Sequence, residues 1–270
     1  RNKEQTSGSV EFFESGALEA VQRRVLIETA LRDAIDNKEL QLHFQPLFTA
    51  KEELIGAEAL LRWESPILGR IGPDEFIPIA EHSGQMSALG LWVLETACKE
   101  ALKWSSKIRV SVNISVAQLR SSELVERVQD VLSATGLPAS RLELEITESM
   151  LADDEHTRSV LGELCALGVS LALDDFGTGF SSLGVLRSLP VECLKIDRSF
   201  VRSMHTDTND AALVRTIVAM GRELGLRVLA EGVEEPEQLD VLKDMGCDEL
   251  QGFLLGRPMD ADAFRALSAG

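Results

Sequence analysis

The run Leu171-Ala172-Leu173-Asp174-Asp175-Phe176-Gly177-Thr178-Gly179-Phe180 sets two adjacent carboxylates at the end of an apolar stretch, just before a loop with two glycines. Ser170 to Leu173 has the unbroken apolar character of a short strand covered on both faces, as parallel strands are. Neighbouring aspartates repel, so holding the pair away from water is costly unless positive charge stands beside it. Mg²⁺ and Mn²⁺ meet that need, because both prefer oxygen ligands. A lone Asp-Asp is equally a solvated cap on a following helix. The first reading gains weight because the pattern recurs along the chain.

Five more segments read as strands, and each brings an acid, an amide or a lysine to its C-terminal end. They deliver Asn113 (from Arg109), Glu145 (from Arg141), Lys195 (from Cys193), Glu231 (from Arg227) and Gln251 (from Glu249). Helical spacing fills the intervals: 87–104, 122–134, 153–167, 181–189, 210–224, 236–245 and a closing helix from Ala261. Alternation of strand and helix without tight hairpins predicts a parallel sheet. Upstream, 17–37 has helical spacing, and 40–48 and 54–63 read as two strands. Only a short turn separates those two, so they should be antiparallel. A short helix over 73–81 starts at Pro73. The strand count approaches that of a closed barrel, and in such a barrel all the parallel C-terminal ends share the face that carries active sites.

Composition narrows the function classes. The chain has 270 residues, a length suited to one α/β barrel, with 44% hydrophobic and 26% charged residues, as in a folded domain. The net charge of −17 argues against a surface for a nucleic acid polymer, so positive charge for an anionic ligand must be local. Cys98, Cys165, Cys193 and Cys247 are scattered without a Cys-x-x-Cys pair, which fits reduced thiols rather than a zinc site or a disulfide framework. No apolar run reaches membrane-spanning length and the opening residues lack a signal core, so a cytoplasmic setting is expected, with tethering through a longer parent still open.

Glu58 stands in the middle of the apolar strand Leu54-Ile-Gly-Ala-Glu-Ala-Leu-Leu-Arg-Trp63, where a charge is expensive unless it faces water or a partner. Arg62 lies on the same strand face by period two. A cation ligand beside an anion clamp is one reading of that pair, and a plain ion pair is the other.

Together these residues resemble the EAL domain family of cyclic dimeric GMP phosphodiesterases. The likeness runs from about residue 20 to 260. It rests on Glu58-Ala-Leu-Leu-Arg62-Trp63, Gln45-Pro46, Gly69–Glu81 (GRIGPDEFIPIAE), Asn113-Ile-Ser115, Leu142–Ser149 (LELEITES), Asp174–Leu183 (DDFGTGFSSL), Leu194–Val201 (LKIDRSFV), Leu229–Glu234 (LAEGVE) and Gln251–Pro258 (QGFLLGRP). It departs from the family pattern at Phe44 and Ser65.

The resemblance implies a modified (β/α)8 TIM-type barrel with an antiparallel first strand, over residues 17–270. Residues 1–16 are expected to be a linker, and the segment Val10-Glu11-Phe12-Phe13-Glu14 resembles the junction after a diguanylate-cyclase-like domain of a longer regulator. Glu58, Asn113, Glu145, Asp174 and Asp175 match metal ligands for Mg²⁺ or Mn²⁺, with two ions expected. Lys195 and Glu231 match residues around the attacking water, and Gln251 an amide of the same site. Glu148 matches the glutamate that fixes the loop beginning at Asp175, a loop tied in the family to metal binding and homodimer formation. Gln45, Arg62 and Asp197 match substrate contacts.

The expected reaction opens one phosphodiester of cyclic di-GMP to linear 5′-pGpG, using two metals about 3.5–4 Å apart, with Asp174 expected to bridge them. Whether Glu231 accepts a proton or holds Lys195 in place stays open. Three rival readings are weighed. The first is a receptor that binds the dinucleotide without cutting it. The second is an enolase-type barrel, which leaves Asp175 and Glu58 with Arg62 unexplained. The third, a kinase suggested by Asp175-Phe176-Gly177, lacks a glycine-rich phosphate loop.

Overall fold

The computed structural model describes residues 15–150, 155–178 and 183–269. Helix α1 (Ser15–Ala34) leads into strands β1 (Leu40–Thr49), β2 (Leu54–Ser65) and β3 (Gly69–Ile71), then helices α2 (Pro73–His82) and α3 (Met86–Ala101). The repeating part follows: β4 (Arg109–Asn113), α4 (Val116–Leu119), α5 (Leu124–Thr135), β5 (Leu142–Thr147), α6 (Glu155–Ala166), β6 (Ser170–Phe176) and α7 (Leu183–Ser188). It continues with β7 (Cys193–Ile196), α8 (Arg198–Ser203), α9 (Thr208–Leu224), β8 (Arg227–Ala230), α10 (Pro236–Met245), β9 (Glu249–Leu250) and α11 (Ala261–Ser268).

Eight strands close into a barrel in the order β1-β9-β8-β7-β6-β5-β4-β2, with β1 returning to β2 and the short β3 attached outside β2. The step from β2 to β4 and every neighbouring step from there to β9 is parallel, and β1 alone among the barrel strands runs against both its neighbours. The expected barrel with an antiparallel first strand is the fold of this chain. Buried runs such as β7, covered at every position, show why: strands this apolar need helices on one side and packed side chains on the other.

Outside the strands, the helices seal an aromatic-rich core. Trp63 meets Phe76 of α2 edge-on with centroids 5.5 Å apart, and Phe44 meets Trp104 at 5.0 Å. Inside, the period-two alternation of each strand stacks side chains in layers. The lowest layer is ionic: Arg109, Glu143, Arg227 and Glu249. Glu143 Oε1 accepts from Arg109 Nε at 3.1 Å and from Ser111 Oγ at 2.9 Å. Arg227 donates from Nη1 to Glu249 Oε1 at 2.7 Å and from Nη2 to Glu143 Oε2 at 2.5 Å, and Arg109 closes the ring onto Glu249. Above it lies an apolar layer of Leu47, Ala172, Cys193 and Leu229. Two residues further along these strands, the next inward positions reach the mouth.

Among the strands and α-helices, three short elements were not expected. They are β3, α4 and α8, each of six residues or fewer and so too short to display a period. Helix α1 starts at Ser15, two residues before the expected boundary, and the segment 10–14 lies outside the described residues, as do the loop positions 179–182. Glu145 and Asp174 are not the last residues of their strands, which run on to Thr147 and Phe176. Glu231 and Gln251 fall one residue past theirs. Cys98, Cys165, Cys193 and Cys247 are all free. Among the described residues no helix is long and apolar enough to cross a membrane.

Candidate functional site

The mouth of the barrel gathers the polar side chains that the strands carry inward. Glu58 projects from β2 opposite Gln45 of β1. Its Oε1 accepts from Asn113 Nδ2 at 2.8 Å and its Oε2 from Gln251 Nε2 at 2.7 Å. The Gln251 amide also donates to Gln45 Oε1 at 3.2 Å, and Gln45 Nε2 to the carbonyl of Gly256 at 3.2 Å. Thus a largely apolar strand tolerates a central carboxylate because two amides, one on the neighbouring β4 and one just past β9, solvate it.

On the other side of the mouth Lys195 is buried, with 1% of its surface exposed. Its ammonium lies 2.7 Å from Glu145 Oε2, 2.7 Å from Glu231 Oε1 and 3.2 Å from Asp174 Oδ2. One cation thus serves three carboxylates. Burial alone would lower the lysine's pKa, but Asp174, Glu145 and Glu231 outweigh it and hold the ammonium charged well above its ordinary range. Burial pushes the Glu231 carboxyl up to about 8 against the pull of Lys195. It lifts Glu145 well above the usual carboxylate range, helped by Glu58 and Asp174. Glu58 goes the other way: Lys195, Gln251 and Asn113 together overcome its burial and hold it below its ordinary value.

Asp175 follows Asp174 with a left-handed φ of 55°, a conformation costly for a residue with a Cβ. Its carboxyl lies beside that of Asp197, and burial, Asp174 and Asp197 raise it to about 6. Asp197 itself caps α8, accepting from Ser199 N at 3.0 Å. Glu148, buried just beyond β5, accepts from the backbone N–H of Gly177 at 3.1 Å and so ties the loop after Asp175 back to the barrel.

Arg62 is half-buried at the rim. It forms no ion pair with Glu58; its Nη1 donates to the carbonyl of Leu61 at 2.9 Å. The plain ion pair is therefore not what this residue makes. Instead it lines a cavity of about 500 Å³ shared with Asp74, Ile77, Asn113, Thr147 and Asp175. The α2 wall of that cavity had no role in the sequence reading, although the stretch Gly69–Glu81 that builds it stood out as a motif.

The donor set suits a hard cation. Glu145 Oε1 is buried without a hydrogen-bond partner, and Gln251 Oε1 likewise. A buried carboxylate oxygen left bare beside Glu58 and Asp174 is the kind of ligand that Mg²⁺ or Mn²⁺ takes. Among the described residues no three acidic, histidine or cysteine side chains stand in a ready-made metal arrangement, and the Lys195 ammonium pairs with Glu145, Asp174 and Glu231.

The EAL domain family model matches residues 28–258. Over 270 residues the chain is 42% identical to the bifunctional diguanylate cyclase/cyclic di-GMP phosphodiesterase MucR of Pseudomonas aeruginosa, covering 98% of this chain and 39% of that protein. It is 40% identical over 257 residues to the cyclic di-GMP phosphodiesterase NbdA of the same organism, covering 93% and 33%. The chain therefore spans between a third and two fifths of the length of these relatives. Among solved structures, a MucR phosphodiesterase in complex with c-di-GMP superposes with a TM-score of 0.86 at 43% identity, covering 88% of this chain and 99% of that one.

Proposed function

The chain belongs to the EAL domain family, and from that premise we propose that it hydrolyses one phosphodiester bond of cyclic di-GMP to linear 5′-pGpG, with Mg²⁺ or Mn²⁺ as cofactor. The observation that carries this reading is the pairing of one ammonium with three carboxylates beside the bare oxygen of Glu145, all at the mouth of one barrel. The names of MucR and NbdA support the substrate, as does the c-di-GMP held by the matching structure.

Glu58, Asn113, Glu145, Asp174 and Asp175 would hold the metal. When bound, two such ions supply an activated water and charge neutralisation at the phosphoryl group. The chain's own residues supply the rest. Gln251, Gln45 and Asn113 keep the Glu58 carboxylate aimed inward and ionised. Lys195 orients the water and balances charge gathering on the phosphoryl oxygens. Glu231, whose carboxyl burial pushes up to about 8, would take the proton that water loses on attacking phosphorus. The bond from phosphorus to the departing ribose oxygen then breaks, and that oxygen takes a proton from solvent, to which Glu231 returns the one it received. Arg62 faces the cavity as the anion clamp, and Asp197 lies across from Asp175 as a further substrate contact. Homodimer formation through the Glu148-anchored loop, and attachment to a regulatory domain of a longer parent, belong to the same proposal.

A receptor that binds without cutting is the second reading, favoured by Lys195 already satisfying the acids that a metal would need. Product analysis separates the two. Cyclic di-GMP incubated with wild type should give 5′-pGpG only when Mg²⁺ or Mn²⁺ is added, and Asp174→Asn should give none. Binding without cleavage under saturating Mn²⁺ would leave the receptor, and neither binding nor cleavage would end both.

A further inference from the structure

Gln238 is buried, with 1% of its surface exposed, near the start of α10 and outside the mouth. Every polar atom of its side chain is engaged. Oε1 accepts from the backbone N–H of Glu234 at 2.8 Å and of Glu235 at 3.0 Å, and Nε2 donates to the carbonyl of Arg202 at 3.3 Å. The two N–H groups belong to the loop after β8, which begins with Glu231. The carbonyl belongs to α8, whose first turn is capped by Asp197.

The same loop is wedged at its other end. Gly232 has φ of 72°, and a Cβ there would lie 2.5 Å from the Cβ of Arg198 in α8. On the opposite side Val233 N donates to Gln251 O at 3.0 Å, and Leu254 N to Val233 O at 3.0 Å. Gly252 presses so close that a Cβ on it would stand 2.1 Å from Val233 O. The segment 231–235 is therefore the middle of three layers, between α8 and the loop after β9. Its two faces meet the elements that carry Asp197 and Gln251.

From this we propose that Gln238 is a positioning residue. Through one buried amide it fixes the loop that sets Glu231 against Lys195, and through Val233 it fixes the loop that sets Gln251 against Glu58. The proposal takes from the reading above that Glu231 and Gln251 belong to the reacting site, but its mechanical content stands without that. A buried amide whose oxygen accepts two N–H groups while its nitrogen donates to a carbonyl has one arrangement, and replacing it with an apolar group strands those two N–H donors.

The test uses backbone amide exchange together with turnover of cyclic di-GMP in the presence of Mn²⁺. In wild type, the amides of Val233 and Leu254 should open as one unit, with the same exchange free energy and the same denaturant dependence. Gln238→Leu should speed exchange at both by about tenfold or more, the effect of losing a buried hydrogen bond, while the amides of β4 and β5 stay unchanged. Gln238→Glu keeps an acceptor for the Glu234 and Glu235 N–H groups at a helix N-terminus but loses the donation to the Arg202 carbonyl, so it should restore only part of the protection. In turnover, Gln238→Leu should lower kcat with little change in KM, and Gln238→Glu should recover part of it. Exchange that rises only at Glu234 and Glu235, or separate openings of Val233 and Leu254 in wild type, would overturn the proposal. If Gln238→Leu fails to fold, Gln238→Met, closer to glutamine in shape, takes its place with the same expected and overturning results. An inactive wild type whose two amides still open together would remove the phosphodiesterase reading and leave the coupling intact.

Discussion

Gln251 and Glu58 are 193 residues apart in the chain and 2.7 Å apart at the barrel mouth, amide nitrogen to carboxylate oxygen. The bond exists because the barrel closes. β9 and β2 are both neighbours of β1, and β1 carries Gln45 between them. Gln251→Ala should leave the fold intact and reduce metal affinity or turnover by about 10–100-fold, the usual effect of removing a group that orients a ligand. Titration of Mn²⁺ against turnover checks it, and unchanged metal dependence would detach Gln251 from the site.

Among the described residues Lys195 is the only positive partner of the three carboxylates around it. Lys195→Met should lower stability by about 3–5 kcal/mol in chelator, as when a buried ion pair loses one member. Calorimetric unfolding of the two proteins in EDTA measures this. A variant as stable as wild type would mean that the acids are neutral without their ammonium.

The ionic layer at the other end of the barrel gives a pH prediction. Burial would raise the pKa of Glu143, but Arg109 and Arg227, with a hydrogen bond from Ser111, hold it below its ordinary 4.5. A depressed carboxyl stabilises the fold above its unfolded pKa, and that contribution fades as pH falls through the folded value. The difference in Tm between wild type and Glu143→Gln should therefore be several degrees or more at pH 7, following roughly 3–5 kcal/mol for a broken buried pair. It should shrink as pH drops below 4. A gap that is constant from pH 7 to 3 would contradict the assignment.

The bond from Gly177 N–H to Glu148 is a charge-assisted contact between two loops at the mouth. Glu148→Ala should speed amide exchange at Gly177 by about tenfold or more, given roughly 1.5–3 kcal/mol for a hydrogen bond to a charged group. Cleavage of cyclic di-GMP should fall with it, since Asp175 begins that loop. Exchange unchanged at Gly177 would show the loop to be held by other contacts.

Much of this molecule is legible in its residues. The alternation of apolar runs with helical spacing predicts the element order, because buried parallel strands and amphipathic helices write different periods. The mouth residues are legible for a related reason: a charge such as Glu58 or Lys195 inside an apolar strand is expensive and marks a place where something must repay it. Local pattern could not say what does so. Glu58 is solvated by Asn113 and Gln251 rather than by the Arg62 four residues on, and Lys195 is shared by acids from β5, β6 and the loop just past β8. Those partners are set by barrel closure and by the inward layering of strands, which are non-local. The four-residue α4 and six-residue α8, and the grip of Gln238 on two loops, likewise arise only when distant segments pack, since neither a single helical turn nor one buried amide leaves a period to read.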